Sequence, residues 1–315
     1  MTIDWKSAAI VGIVRRALEE DIGPGDVTAL ATVPAQAKAE ARILARESLT
    51  LAGLPLVQMV FAGLDPGARV EFLAADGDAV KAGTDVVRIS GRARAILSGE
   101  RTALNFLSHL SGIASLTKKF VEQLAGTQTR IRDTRKTTPG LRLLEKYAVK
   151  MGGGTNHRIG LYDAVLLKEN HIALAGGVKS ALDMAHAFAS ARVNSNSMTA
   201  YEAVGSAPAP ATATPSQLPP TVQIEVRNER ELREALAAGA DSVLLDNMSP
   251  DEARACVDIV RVLRKDCIVE ISGGITLENA RVYAETGADF LSSGMLTHSA
   301  PAANLSLLVE SIVEG

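Results

Sequence analysis

Arg101, Arg135, Lys136, His157, Arg158 and Lys168 are six cationic or protonatable side chains, and five of them fall within residues 130–171. That segment reads RIRDTRKTTPGLRLLEKYAVKMGGGTNHRIGLYDAVLLKENH and holds nine Lys/Arg against four Asp/Glu, in a chain whose net charge is −3. Brought to one point, arginines hold carboxylates and phosphates through paired contacts, and lysines hold them as point charges. Confined like charges repel, so such a cluster persists where an anionic ligand offsets the repulsion. The chemistry implied is a pocket for a small polyanion, a dicarboxylate together with phosphates. The diffuse basic face that nucleic acid requires is absent from the composition. Gly152-Gly153-Gly154 lies in the same segment and suggests a loop that approaches a ligand closely. Arg142, Lys146 and Lys150 recur at four-residue spacing and read as one solvated helix face.

Two carboxylates, Glu225 and Asp246, stand at the ends of short apolar runs. Each fits a structural pairing with a nearby lysine or a helix cap. Each also fits a Mg²⁺ site completed by substrate oxygens or water, because Mg²⁺ takes a few carboxylates and keeps other oxygens in its shell. A carboxylate there could also stabilise a cationic sugar in a transition state. Ser272-Gly273-Gly274 and Ser292-Ser293-Gly294 each precede a helical pattern, the first with Thr276 as its expected N-cap. Backbone N–H groups at such turns cradle phosphate. Neither a GxxxxGK[ST] loop nor a GxGxxG fingerprint occurs, which argues against nucleoside triphosphates and dinucleotides. His109, His171, His186 and His298 show no metal-ligand spacing; His186 reads as an ordinary helix residue, while His171 and His298 neighbour the site loops.

These residues need a scaffold that aims them at one place. Ile10, Ile13, Val14 and Leu18 have helical spacing, and DIGPGDVT ends that helix. ARILARESLTLAG predicts strands, LPLVQMVFAGL a helix, residues 70–91 antiparallel strands, and residues 93–117 a long helix. Beyond residue 130, short apolar runs alternate with helical patterns, which predicts βα repeats and a parallel sheet. TRIRDTRK, DAVLLK, TVQIEV, DSVLLD, CIVEISGG and ADFLSSG deliver the candidate residues one strand end after another. Active sites of α/β sheets and barrels form at the carboxyl ends of their strands. The expected fold is α/β: an N-terminal α+β sandwich domain over 1–115, followed by an incomplete α/β barrel with parallel strands over 116–297. Residues 298–315 are expected to complete the first domain. Residues 193–221, rich in Ala, Pro, Ser and Thr, read as a flexible insertion.

The 315 residues are 47% hydrophobic and only 3% aromatic, so the core is aliphatic, as suits covered parallel strands. Cys256 and Cys267 form no disulfide framework and read as small core groups. No apolar run reaches the ~20 residues that span a bilayer. The start MTIDWKSAAIVGIVRRALEEDIG lacks a signal-peptide pattern, and the expected compartment is the cytosol.

DTRKTTPGLRLLEKYAVKMGGGTNHRIGLYDAVLLKENH resembles the signature of the quinolinate phosphoribosyltransferases, also called carboxylating nicotinate-nucleotide pyrophosphorylases. EDIGPGDVT, GERTALNFL, LLDNMSP, EISGGI and LTHSA extend the resemblance over nearly the whole chain apart from the insertion. The resemblance implies transfer of phosphoribosyl from 5-phosphoribosyl 1-pyrophosphate to quinolinate, with Mg²⁺, no organic cofactor, and loss of CO₂. It implies a homodimer in which Arg101 reaches the partner subunit's site. By motif position it assigns Arg135, Lys136, His157, Arg158 and Lys168 to quinolinate, and Glu225 and Asp246 to the ribose and metal. It assigns the loops Ser272, Gly273, Gly274 and Ser292, Ser293, Gly294 to the 5-phosphate. Lys136, Lys168, Glu225 and Asp246 are the residues expected at the reacting atoms. Gln223 stands where the family often has a second acidic residue, and Met295 where a smaller one is common. A related phosphoribosyltransferase of the molybdenum-transport-associated branch, with another acceptor, and a non-catalytic binding protein on the same fold are the competing readings.

Overall fold

The computed structural model describes residues 3–194 and 221–313. In chain order the elements are α1 (Ala8–Ile22), α2 (Val27–Thr32), β1 (Lys38–Ala45), β2 (Leu49–Thr50), α3 (Leu54–Leu64), β3 (Arg69–Phe72), β4 (Ala79–Val80), β5 (Asp85–Arg92) and α4 (Ala93–Gln123). There follow β6 (Arg130–Arg132), α5 (Arg142–Met151), β7 (Val165–Leu167), α6 (Glu169–Leu174), α7 (Val178–Asn194), β8 (Val222–Val226) and α8 (Glu229–Ala237). The last are β9 (Ser242–Asp246), α9 (Pro250–Leu263), β10 (Ile268–Ser272), α10 (Ala280–Ala284), β11 (Phe290–Ser292), α11 (Met295–His298) and β12 (Leu305–Val313). The proposed insertion lies, from 195 to 220, outside the described residues. Among the described residues no helix is long and apolar enough to cross a membrane.

The chain forms two compact units: Met1–Lys119 with Lys136–Gly154 and Met295–Gly315, and Phe120–Arg135 with Thr155–Gly294. In the first, an antiparallel sheet runs β12-β1-β5-β3. The alternation in β1 is clear at its start, where Ala39 and Ala41 are buried between exposed Lys38 and Glu40. Helix α1 buries Ile10 and Val14, and its neighbour α3 buries Leu54, Leu56, Val57, Val60 and Phe61. Asp26 caps α2, its carboxylate accepting the Ala29 N–H at 2.9 Å.

Helix α5 departs from the sequence expectation. Lys146, read as part of a solvated face, is fully buried beside buried Glu145. Four-residue spacing identifies a face but not its environment: Lys146 is buried, while Arg142 is half-buried and Lys150 exposed as expected. Glu145 accepts from His109 Nε2 at 2.9 Å and from the Thr138 N–H at 3.1 Å, tying α4 and α5 to the loop that carries Lys136. The glycine triplet also has a packing explanation. A Cβ at Gly152 would meet the Ala114 carbonyl and Thr117, and one at Gly154 would lie 2.7 Å from Thr117 Cγ2. Gly153 has φ +87°, a conformation that favours glycine. The close approach is therefore to α4 of the same unit.

The second unit is built on six parallel strands in the order β6-β11-β10-β9-β8-β7. Its register aligns Arg132 with Ser292, Ser292 with Ser272, and Ser272 with Asp246. Since side chains alternate along a strand, the register assigns each residue to a face. One face carries Ile131, Leu291, Val269, Ile271, Val243, Leu245, Val222, Ile224, Val226 and Leu167, all buried. These β-branched and aliphatic side chains suit a sheet face covered by helices. The opposite face carries the polar residues. The free thiols are both buried, and burial pushes Cys267 up to about 11, which agrees with packing rather than reactivity.

Candidate active site

Arg132, Ser292, Ser272 and Asp246 share the polar face with Glu270, Gln223, Glu225 and Lys168, as the registers of the six strands require. Sequence reading found the residues at the strand ends. Within the interior of this face it named Gln223 but missed Glu270 and Arg132. Glu270, in the middle of β10, is fully buried, and its Oε2 accepts from Arg132 Nη1 at 2.8 Å and from Gln223 Nε2 at 3.0 Å. Arg132 also lies over the Phe290 ring, 3.5 Å from its centroid, so its charge is held by a carboxylate and an aromatic face.

His157 and Arg158 sit on the loop between α5 and β7, and two aspartates shape that loop. Asp133 accepts the His157 N–H at 2.8 Å and Asn156 Nδ2 at 2.7 Å. Asp163 accepts the Ile159 and Gly160 N–H groups at 2.7 and 2.8 Å. Arg158 donates from Nη1 to the Ala164 carbonyl at 3.1 Å, while its Nε is buried without an acceptor. Burial pushes the Arg158 guanidinium down from its usual value, nearby Arg135 adds to the shift, and Asp163 opposes it. An anion placed between two such arginines would offset their repulsion and accept the unused donor of Arg158.

At the carboxyl ends of β7 and β8, Lys168 Nζ donates to Glu225 Oε2 at 2.6 Å. The Lys168 N–H donates to His171 Nδ1 at 3.0 Å, so His171 helps fix the start of α6. On β9, the Asp246 carboxylate accepts from Asn247 Nδ2 at 2.9 Å, and Asn247 adopts φ +56°, rare for a residue with a side chain. The Asn247 N–H donates to the Ser272 carbonyl at 2.9 Å. A Cβ at Gly273, whose φ is +96°, would collide with the Asn247 side chain. Gly274 has φ +64°. The loops after β9 and β10 are therefore interlocked, and glycine is required at 273. Helix α10 begins at Ala280 rather than behind Thr276; the Thr276 N–H donates to Asn279 Oδ1 at 2.8 Å, making the intervening residues a turn. Ser292 and Ser293 are buried, and Ser293 donates its N–H to the Arg132 carbonyl at 3.1 Å and its hydroxyl to the Ile275 carbonyl at 2.8 Å.

The parallel-sheet unit thus brings Arg135 near Arg158, Lys168 onto Glu225, and the Gly273 loop onto the Asp246 loop. Arg101 and Lys136 belong to the other unit, Arg101 exposed on α4 and Lys136 on a loop whose carbonyl accepts from Thr297 Oγ1 at 2.7 Å. A cavity of about 870 Å³ is lined by Arg132, Asn156, His157, Arg158 and Gln223, and extends to Ser242 and Ile268 at the amino ends of β9 and β10. Lys168, Glu225 and Asp246 lie beyond its walls, so the polar row of the sheet, and not this volume, defines the site. Among the described residues no group of three or more His, Cys, Asp or Glu could hold a metal by itself.

The family models for the N-terminal and C-terminal domains of quinolinate phosphoribosyl transferase match residues 26–111 and residues 113–210 and 193–308. The chain belongs to the quinolinate phosphoribosyltransferase family. It is 36% identical over 312 residues to a tobacco protein named quinolinate phosphoribosyltransferase (decarboxylating) 1b, covering 95% of this chain and 82% of that one. It is also 36% identical over 311 residues to the chloroplastic nicotinate-nucleotide pyrophosphorylase (carboxylating) of rice, covering 95% and 77%. The solved nicotinate-nucleotide pyrophosphorylase of Francisella tularensis superposes with a TM-score of 0.80 at 36% identity, over 97% of this chain and 98% of that one. The mixed architecture expected from the sequence, an antiparallel N-terminal sheet followed by parallel strands, is the one observed.

Proposed function

We propose that this protein transfers the phosphoribosyl group of 5-phosphoribosyl 1-pyrophosphate to quinolinate, releasing pyrophosphate and CO₂ and forming nicotinate mononucleotide. Family membership supports the reading, and Arg158 is the observation that carries it to this site. Its guanidinium is partly buried, repelled by Arg135, and left with a buried donor that a carboxylate satisfies. Arg135, Lys136 and Arg158 take the two quinolinate carboxylates, with His157 in the wall of the same pocket. The loops Ser272-Gly273-Gly274 and Ser292-Ser293-Gly294 hold the 5-phosphate. Ser293 contributes by fixing its loop, since its own donors serve the fold.

Glu225 and Asp246, on adjacent strands and one face, would hold a Mg²⁺ ion brought in by phosphoribosyl pyrophosphate, with other oxygens completing its shell. Bound there, Mg²⁺ would supply charge neutralisation for the departing pyrophosphate. The bond from the ribose carbon to pyrophosphate breaks as the pyridine nitrogen forms its bond to that carbon. The resulting pyridinium accepts the electron pair left when the adjacent C–CO₂⁻ bond breaks, and the ring carbon then takes a proton. The substrate is its own electron sink, so no organic cofactor takes part. Lys168 balances charge beside Glu225, and fixing two anionic substrates together lowers the entropic barrier. The proposal includes a cytosolic homodimer in which Arg101 serves the partner's site.

The test is an incubation of purified protein with quinolinate, phosphoribosyl pyrophosphate and Mg²⁺, resolved for nicotinate mononucleotide by chromatography. Product with quinolinate and none with nicotinate is expected. Product only with a different acceptor would point to the molybdenum-transport-associated branch and overturn the assignment.

A further inference from the structure

Five polar groups in the parallel-sheet unit form one continuous hydrogen-bonded chain. The Arg158 N–H donates to His157 Nδ1 at 2.7 Å. His157 Nε2 lies 3.2 Å from Gln223 Oε1 and, at the longer distance of 3.6 Å, faces Glu270 Oε1; Gln223 Nε2 donates to Glu270 Oε2 at 3.0 Å, and Arg132 Nη1 donates to the same oxygen at 2.8 Å. Glu270 is fully buried, Gln223 is buried, and the His157 side chain is 13% exposed.

The direction of every proton in this chain is fixed from its two ends. At one end the backbone N–H of Arg158 can only donate, so His157 Nδ1 must accept and carries no proton. The imidazole therefore bears its proton on Nε2 and is neutral, because a doubly protonated ring would set two N–H groups against each other at 2.7 Å. At the other end Glu270 is paired with Arg132 and accepts, so the Gln223 group facing it is the amide NH₂. Turning that amide over would bring its oxygen against the carboxylate. It would also bring its NH₂ against the ring N–H of His157. Both ends give one answer, in which the donors run from Arg158 through His157 and Gln223 to Glu270.

We infer that Glu270 is a positioning residue, which acts through Gln223 to hold His157 as the neutral Nε2–H imidazole and thereby fixes the main chain of Arg158. In this arrangement His157 is not one of the pocket's cations. Its ring nitrogens engage protein groups, and its role is to set where the Arg158 guanidinium stands. Gln223 suits the relay better than a glutamate would. A second carboxylate beside buried Glu270 would either take up a proton or draw one onto His157, and the ring could then no longer accept from Arg158. Bonds aligned head to tail also reinforce one another.

The inference rests on the proposed function only for its kinetic arm. Histidine ¹⁵N shifts of the ligand-free protein at neutral pH report ring tautomers directly, and His157→Gln assigns the signal among the five histidines. A neutral Nε2–H ring at His157 is expected; a cationic or Nδ1–H ring would overturn the inference whatever the enzyme turns over. Gln223→Met keeps the volume and the Arg132–Glu270 pair but cuts the relay. It should raise KM for quinolinate about tenfold, the worth of one hydrogen bond to a charge-coupled network, with kcat within about twofold. An unchanged KM for quinolinate in that variant would also overturn it. If the wild-type protein makes no nicotinate mononucleotide, the functional proposal falls while the tautomer measurement still decides this one.

Discussion

Lys168 Nζ and Glu225 Oε2 are 2.6 Å apart, at the carboxyl ends of neighbouring strands, with the lysine side chain 49% exposed and the glutamate 12% exposed. An ion pair this open adds little to stability, on the order of 1 kcal/mol or less. In the proposed reaction its place at the end of the polar row gives it an electrostatic role instead. Lys168→Ala should lower kcat/KM on the order of a hundredfold, the cost typical of one lost electrostatic stabiliser. The thermal midpoint should move by only about 2 °C. Steady-state kinetics beside a melting curve checks both, and a large loss of stability with intact turnover would reverse the assignment.

Arg158 has a buried Nε without an acceptor and a neighbour of like charge. Removing it should relieve repulsion in the free protein while costing the ligand its paired contacts. Arg158→Ala should therefore weaken quinolinate binding by roughly 10²-fold, the worth of about two charge-assisted hydrogen bonds, and should leave the fold intact. Arg158→Lys keeps the charge but lacks the planar fork, and should recover only part of the affinity. Calorimetric titration with quinolinate measures each.

Gly273 holds φ +96° in the space bounded by the Asn247 side chain. Gly273→Ala meets backbone strain of about 1–3 kcal/mol and a collision as well. The Asn247 side chain must move, and with it the partner of Asp246. The expected result is a lower melting temperature together with a raised KM for phosphoribosyl pyrophosphate. The KM for quinolinate should change much less.

Arg101 stands exposed on α4 in the unit that also holds Lys136. If the homodimer shares its sites as proposed, Arg101→Ala and Lys136→Ala damage different halves of one site. Each variant alone should be nearly inactive. Mixed and allowed to exchange subunits, they should regain about a quarter of wild-type activity, the share expected from random pairing when half the chains in each mixed dimer form one sound site. No recovery after verified exchange would place both residues in the same subunit's site.

Much of the scaffold was legible because several parallel strands are short aliphatic runs that end in, or run into, a polar residue. DAVLLK and DSVLLD show this in one line, and Lys168 and Asp246 stand where those runs end. Glu270 and Arg132 were overlooked because each lies inside its run and was passed over as part of a strand. Period two reveals them: in IVEIS, residues 268, 270 and 272 share a face, and in RIR residues 130 and 132 share one. A polar residue two positions before a strand-end candidate points to the same place. Lys146 and the Gly152–Gly154 run were misread for a different reason. Their spacing describes α5 and the turn after it, but not what lies against them: Gly152 and Gly154 meet α4, more than thirty residues earlier, which no local pattern encodes.

The central claim is a coupled transfer and decarboxylation, and quinolinate carrying ¹³C in its 2-carboxyl group tests it most directly. Purified protein with Mg²⁺ should release labelled CO₂ only when phosphoribosyl pyrophosphate is present, one CO₂ for each nicotinate mononucleotide formed. Labelled CO₂ released without phosphoribosyl pyrophosphate, or a nucleotide that keeps the label, would contradict the account.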